Sequence, residues 1–178
     1  MNEQQQRRFL RLILLICITL SQAKSTTFLT VLVALCWIRA TRGTKFSGTR
    51  PIMIGVEAGR LAACPDTPNC VNSQSENPLH RIKPITYNST PAQAMADLKT
   101  LIENLERAKI ITTTENYLYV EFSSSFWGFV DDVEFLIDTN PKVIQVRSAS
   151  RLGQSDLGVN RKRIEMIRTK FNQPRSQN

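Results

Sequence analysis

Histidine is almost missing from this 178-residue chain, His80 being the only one. A Ser–His or Cys–His nucleophile pair would have to be built on that one side chain. A zinc centre would find only two nearby thiols, Cys64 and Cys70, beside it. There is no GxSxG elbow, P-loop, HExxH pair or EF-hand loop, so the chemistries those motifs serve have no foothold. No compact Asp-rich loop offers a hard-cation cage. No uninterrupted apolar run reaches the roughly 20 residues that span a bilayer, and no internal repeat is visible.

Net acidity is missing as well. The chain carries 23 Lys and Arg against 15 Asp and Glu, a formal charge of +8. Mapped along the sequence, most of this excess is local. Residues 1–50 hold eight basic side chains against Glu3, leaving 15 basic and 14 acidic in the rest. A nucleic-acid footprint needs a basic face on the folded domain, so no nucleic-acid partner is expected. Within the rest, 51–140 has 6 basic and 12 acidic residues, and 141–178 has 9 and 2. The two parts should attract, which favours ion pairing between a sheet and a basic C-terminal helix over a free basic surface.

What the N-terminus does have is two short apolar runs. "RRFLRLILLICITL" sets positive charge before an apolar core, with small Ser21 and Ala23 following, the pattern of an export signal. A second run, "FLTVLVALCWI" from Phe28 to Ile38, follows beyond the polar "SQAKSTT". Cleavage after Ala23, cleavage after the second run, and retention of Phe9 to Ile38 as an anchor are all compatible with it. Leu35 before Cys36 is too large for a lipoprotein signal. The expected address is export or membrane association, in periplasm, cell envelope or thylakoid lumen. In that setting Cys64 and Cys70 of "CPDTPNC" are expected to form a disulfide closing a tight loop, with free thiols as the alternative.

Residues 1–40 therefore read as signal peptide or membrane anchor and 41–78 as a linker with an irregular Cys-containing segment. An α+β domain is expected over 79–173 and a short tail over 174–178. "HRIKPITY" is a candidate edge strand, because Pro84 removes a ladder donor. Thr90 caps a helix with Pro91 in its first position and Gln93 three residues on, and Met95, Leu98, Leu101, Ile102 and Leu105 form its buried stripe. "KIITTT", "YLYVEFSS", "FVDDVEFLID" and "KVIQVRSAS" then alternate with period two, predicting four strands of an antiparallel meander. A last helix starts after Asp156, with Leu157, Ile164, Ile167 and Phe171 on one side. The order is strand, helix, four-strand meander, helix: a curved antiparallel sheet with both helices on one face, preceded by a hydrophobic leader.

Alternation also sorts the polar side chains. Glu121, Asp132, Glu134 and Arg147 fall on one sheet face. They can act as paired carboxylates for acid–base work, as ligands of a hard cation, or as a cross-strand ion-pair ladder on a wet face; the ladder is favoured, and no metal or cofactor is expected. In "RSASRLGQSDLGVNRKRIE", Arg147, Ser148, Ser150, Arg151, Asn160, Arg161 and Arg163 can clasp an anion at a helix start. Asp156 stands against this by occupying that helix start. The competing reading pairs these arginines with Asp131, Asp132, Glu134 and Asp156. Phe126, Trp127 and Phe129 sit at a predicted hairpin turn, able to meet lipid or a partner or to fold back on the core.

Taken together, "SGTRP", "CPDTPNCVNSQ", Pro84–Ile85, "DDVEF" and "RSASRLGQSDLGVNRKRIE" resemble the family known as domain of unknown function 1499, in order from Ser47 to Ile167. The resemblance implies an exported or lumenal protein of bacterial or photosynthetic type, and it supplies no activity, substrate or catalytic residue. It marks Cys64, Pro65, Pro68, Asn69, Cys70, Asp131, Asp132, Arg147, Ser148, Ser150, Arg151, Gly153, Asp156, Gly158, Asn160, Arg161 and Arg163 as signature positions. The functional expectation is a non-catalytic domain, membrane-associated through its N-terminal segment, that binds a small anion, lipid headgroup or protein partner. The alternative is a hydrolase using Asp131, Asp132, Glu134 and Arg147 with His80.

Overall fold

The computed structural model describes residues 46–125 and 127–173. The expectations for the leader, for Phe126 and for the tail lie outside the described residues. Helix α1 spans Pro91–Glu103 and starts as its sequence dictates. The Thr90 side chain accepts from the Gln93 amide at 3.2 Å, and Pro91 occupies the first turn, where no amide partner is needed. Its stripe of Ala94, Met95, Leu98 and Ile102 is buried, with Leu101 and Leu105 packed at the margin.

Eight strands accompany it: β1 (Val56–Glu57), β2 (Arg60–Leu61), β3 (Cys70–Asn72), β4 (Ile85–Thr86), β5 (Ala108–Thr113), β6 (Tyr117–Ser123), β7 (Val130–Thr139) and β8 (Lys142–Ser150). The main sheet runs β3-β8-β7-β6-β5, and β4 lies end to end with β3 along the outer edge of β8. All these pairings are antiparallel. The four expected meander strands are there, and Pro84 immediately precedes β4 on the edge, where its missing N–H costs no ladder bond. Helix α2 (Val159–Phe171) closes the domain.

The register places Leu118, Val120 and Phe122 of β6, Val133, Phe135 and Ile137 of β7, and Ile144 and Val146 of β8 on one face. There they pack with α1 and α2 in the main core. Phe135, Leu98, Ile144, Ile164 and Ile167 are fully buried, each contributing on the order of 1.5–3 kcal/mol. The fold is α+β, with both helices on one sheet face.

One helix assignment is corrected. Leu157 is 86% exposed and does not join Ile164, Ile167 and the half-buried Phe171 on the inner side. Leu157 and Gly158 both have positive φ, so the chain turns through them before the helix starts at Val159. Extending the helical stripe backwards by one turn counted a loop residue as core.

The opposite sheet face is also covered. The segment before β3, expected to be irregular, crosses it, and β1 pairs with β2 in a small hairpin. Ile54 and Leu61 from this segment pack with Tyr117, Tyr119, Leu136 and Ile111 in a second apolar cluster. Cys64 and Cys70 are disulfide-bonded, closing the loop that leads into β3.

Candidate functional site

Glu121, Asp132, Glu134 and Arg147 do share the covered face, but it is not wet. Glu134 is 0% exposed and Asp132 1%. The wet-ladder expectation fails because alternation reports which side of a strand a residue is on, not what lies over it. Glu134 Oε1 accepts from the Tyr117 hydroxyl and the Gly55 amide, both at 2.8 Å, and Oε2 accepts from Arg147 Nη1 at 3.0 Å. Asp132 Oδ1 accepts from the Tyr119 hydroxyl at 2.5 Å and from Arg151 Nη2 at 2.6 Å, and Oδ2 accepts from Arg151 Nε at 2.9 Å. Arg151 Nη2 also donates to Glu121, and the half-exposed Arg50 reaches the same carboxyl through Nη2 at 2.6 Å.

These surroundings move the titrating groups in readable directions. Burial pushes the Tyr117 and Tyr119 phenols well up, and the adjacent Glu134 and Asp132 add to it. Burial works to raise Glu121, but hydrogen bonds from Arg151 and Arg50 outweigh it and hold the carboxyl below its ordinary range. The face is a closely connected set of donors and acceptors; among the described residues, Arg147 Nε is its one buried side-chain nitrogen or oxygen lacking a partner. Among the described residues, no cluster of three or more His, Cys, Asp or Glu is placed to hold a metal ion.

Asp131 parts from its neighbours. As the odd member of "DDVE", it lies on the helix face, where Arg163 Nη2 donates to it at 2.5 Å. Arg163 Nη1 donates to Ser148 Oγ at 3.1 Å and to Asn160 Oδ1 at 2.7 Å, and its guanidinium lies over the Phe122 ring at 4.9 Å. Asn160, 0% exposed, spends its amide nitrogen on the Asn69 carbonyl and on Ser150 Oγ, while Asn69 reaches back to the Gly153 carbonyl at 2.7 Å. Thus the disulfide loop, the end of β8 and the first turn of α2 are tied into one knot of polar groups.

Asp156 fills the helix start, as the sequence suggested. Its carboxyl accepts from the Gly158 and Asn160 amides at 2.9 and 2.8 Å. Burial works to raise its pKa, but those backbone bonds win and lower it. The Gly158, Val159 and Asn160 amides, which were to cradle an anion, are thus taken by Asp156. His80 is buried, its Nδ1 donating to the Cys70 carbonyl at 3.1 Å, with Nε2 unpartnered.

Of the arginines singled out in the sequence, Arg161 alone meets no carboxyl group among the described residues. Its Nη1 and Nη2 hold the Arg81 and Leu79 carbonyls at 2.9 and 3.1 Å, keeping the chain before β4 against α2. With Arg81, Lys83, Ser73, Ile82, Pro84 and Glu165 it lines a groove of about 550 Å³. Glu165, the one acid there, is engaged by Arg168 at 2.9 Å. The groove is left with three cations, of which Arg81 and Lys83 are solvent-exposed. Sequence reading passed over both. The signal was their alternation with buried Ile82 in "HRIKP", which turns them outward. A depression of about 590 Å³ between α1 and α2 is larger, but its charges are one acid, Asp97, and one base, Lys170.

A search of curated proteins finds no match to the chain. The model of one family, described as protein of unknown function (DUF1499), matches residues 60–171, a span that takes in the disulfide loop, the Asn160 network, the carboxylates of β6 and β7 and the groove, but not their partners Arg50 and Gly55. This chain belongs to that DUF1499 family.

Proposed function

We propose that the protein is a non-catalytic, membrane-tethered domain that binds a small phosphate-type anion, free or as a lipid headgroup, in the groove between the segment before β4 and α2. The observation that carries this reading is Arg161, the guanidinium of the Arg147–Arg163 stretch that no carboxyl group among the described residues neutralises. It shares a concave surface with exposed Arg81 and Lys83. A planar guanidinium with donors to spare beside two exposed cations suits an anion that accepts on several oxygens. The hydrolase alternative has less support, because Asp132 and Glu134 lie under the 46–62 cover with their oxygens occupied.

The test is the melting temperature of the full chain with inorganic phosphate, and separately with a short-chain phosphatidylglycerol below its micelle concentration. Either anion should raise it. Arg81→Ala/Lys83→Ala, which removes two exposed side chains, should weaken the effect about tenfold in concentration. A response to the lipid alone would identify a headgroup site. No response to either, or an unchanged response in the double variant, would refute the reading.

A further inference from the structure

A second surface bears on where the domain sits. Phe46, the first described residue, donates its backbone amide to the Trp127 carbonyl at 3.1 Å. Its ring stacks on Phe129 at 5.7 Å and lies 6.4 Å from that of Trp127. The three aromatics are 46%, 56% and 41% exposed. Leu152, 44% exposed, lies against Gly48, two residues along the chain from Phe46: a Cβ built on that glycine would stand 3.1 Å from its Cγ. Trp127 and Phe129 of the loop between β6 and β7 are thus gathered against Phe46, and all three rings stay partly exposed.

From these observations we infer that this aromatic patch docks on the lipid bilayer, inserting at the headgroup–acyl boundary. The chain outside the described residues selects lipid over a second copy or a soluble partner. Seven residues, Arg39 to Lys45, separate the apolar run ending at Ile38 from Phe46. Even fully extended they span roughly 25–28 Å. The patch begins at Phe46, the residue that follows the tether in sequence, so a run lodged in the membrane keeps the patch within reach of the surface at high effective concentration. The tether carries Arg39, Arg42 and Lys45 and no acid, which suits an anionic headgroup layer. Trp is enriched at the bilayer interface, and Trp and Phe recur on the apolar faces that segments bury at the headgroup–acyl boundary. The inference shares the membrane tether with the proposed function but does not depend on the anion groove.

Trp37 and Trp127 are the two tryptophans, so Trp37→Phe makes Trp127 the sole reporter. The full chain is reconstituted into phosphatidylcholine vesicles with or without brominated acyl chains, a zwitterionic surface that does not test the anion groove. Trp127 emission should shift to the blue, and bromination should quench it about twofold, as expected for a ring at the interface. Adding Phe46→Ser/Phe129→Ser should abolish the quenching while the protein still floats with the vesicles. Emission indifferent to bromination overturns the inference. So does quenching that survives the double substitution, since the tether alone then holds Trp127 near lipid. A concentration-dependent blue shift without vesicles also overturns it, because a second copy then covers the patch.

Discussion

Arg147 and Glu134 face each other across the β7–β8 ladder, 7% and 0% exposed at their side chains. Burying two charges is costly, and the pair is tolerable because the Tyr117 hydroxyl and the Gly55 amide complete the carboxyl group's needs. Removing one partner should therefore hurt more than removing both. Glu134→Ala is expected to lose about 3–5 kcal/mol of stability in urea unfolding, and Glu134→Leu/Arg147→Met to recover most of it. If the double variant is as unstable as the single one, the pair is not an isolated electrostatic unit. The charge pairing itself was legible. Period-two spacing placed Glu134 and Arg147 on one face, and the opposite charges of 51–140 and 141–178 anticipated that they would meet. Tyr117 and Gly55 were not legible as partners, since nothing local ties a glycine in an aperiodic segment to a carboxyl 79 residues away.

Among the elements, α2 shows how a helix can be fixed by polar as well as apolar contacts. Only Asn160, Ile164 and Ile167 of its residues are buried. Arg161 and Arg168 lace it to the chain before β4 through four backbone carbonyls. Asn160 is the hub, reaching Asn69, Ser148 and Ser150 while Arg163 donates to it. Asn160→Ala would strand several buried groups at once and should cost about 2–3 kcal/mol. Hydrogen exchange should show the loss first at the β3 amides and Ser150, before the β6–β7 ladder opens; uniform loosening would argue against a local hub. The helix and its start after Asp156 were readable from capping chemistry and spacing. The inward turn of Asn160 was not, because an Asn on an apolar stripe reads as a break in the pattern until its partners are known.

For the molecule as a whole, the covered face makes stability depend on pH at both ends. Tyr117 and Tyr119 have raised pKa values in the fold and ordinary ones, near 10, when unfolded. The unfolded chain therefore releases these protons first, and stability present below about pH 10 is lost as pH rises above it. Phenolate absorbance should appear together with loss of circular dichroism; phenolate forming in an intact fold would mean the face is open to water. Glu121 and Asp156 have lowered values, so their contribution holds above the ordinary carboxyl range, about pH 4, and disappears as pH falls below it.

The division between the legible and the hidden follows the range of the forces. Alternation in β5 to β8, the Thr90–Pro91 start of α1 and the turn residues between strands act over a few neighbours, so the linear order of residues was enough to establish them. The closure of the second sheet face was decided only in three dimensions. Ser47, Arg50 and Gly55 meet Arg151, Glu121 and Glu134 across separations of 104, 71 and 79 residues. Those contacts form because buried donors and acceptors must find each other once the sheet exists. Together they engage nearly every charged group on that face, an outcome that depends on which segments the fold lays over the sheet.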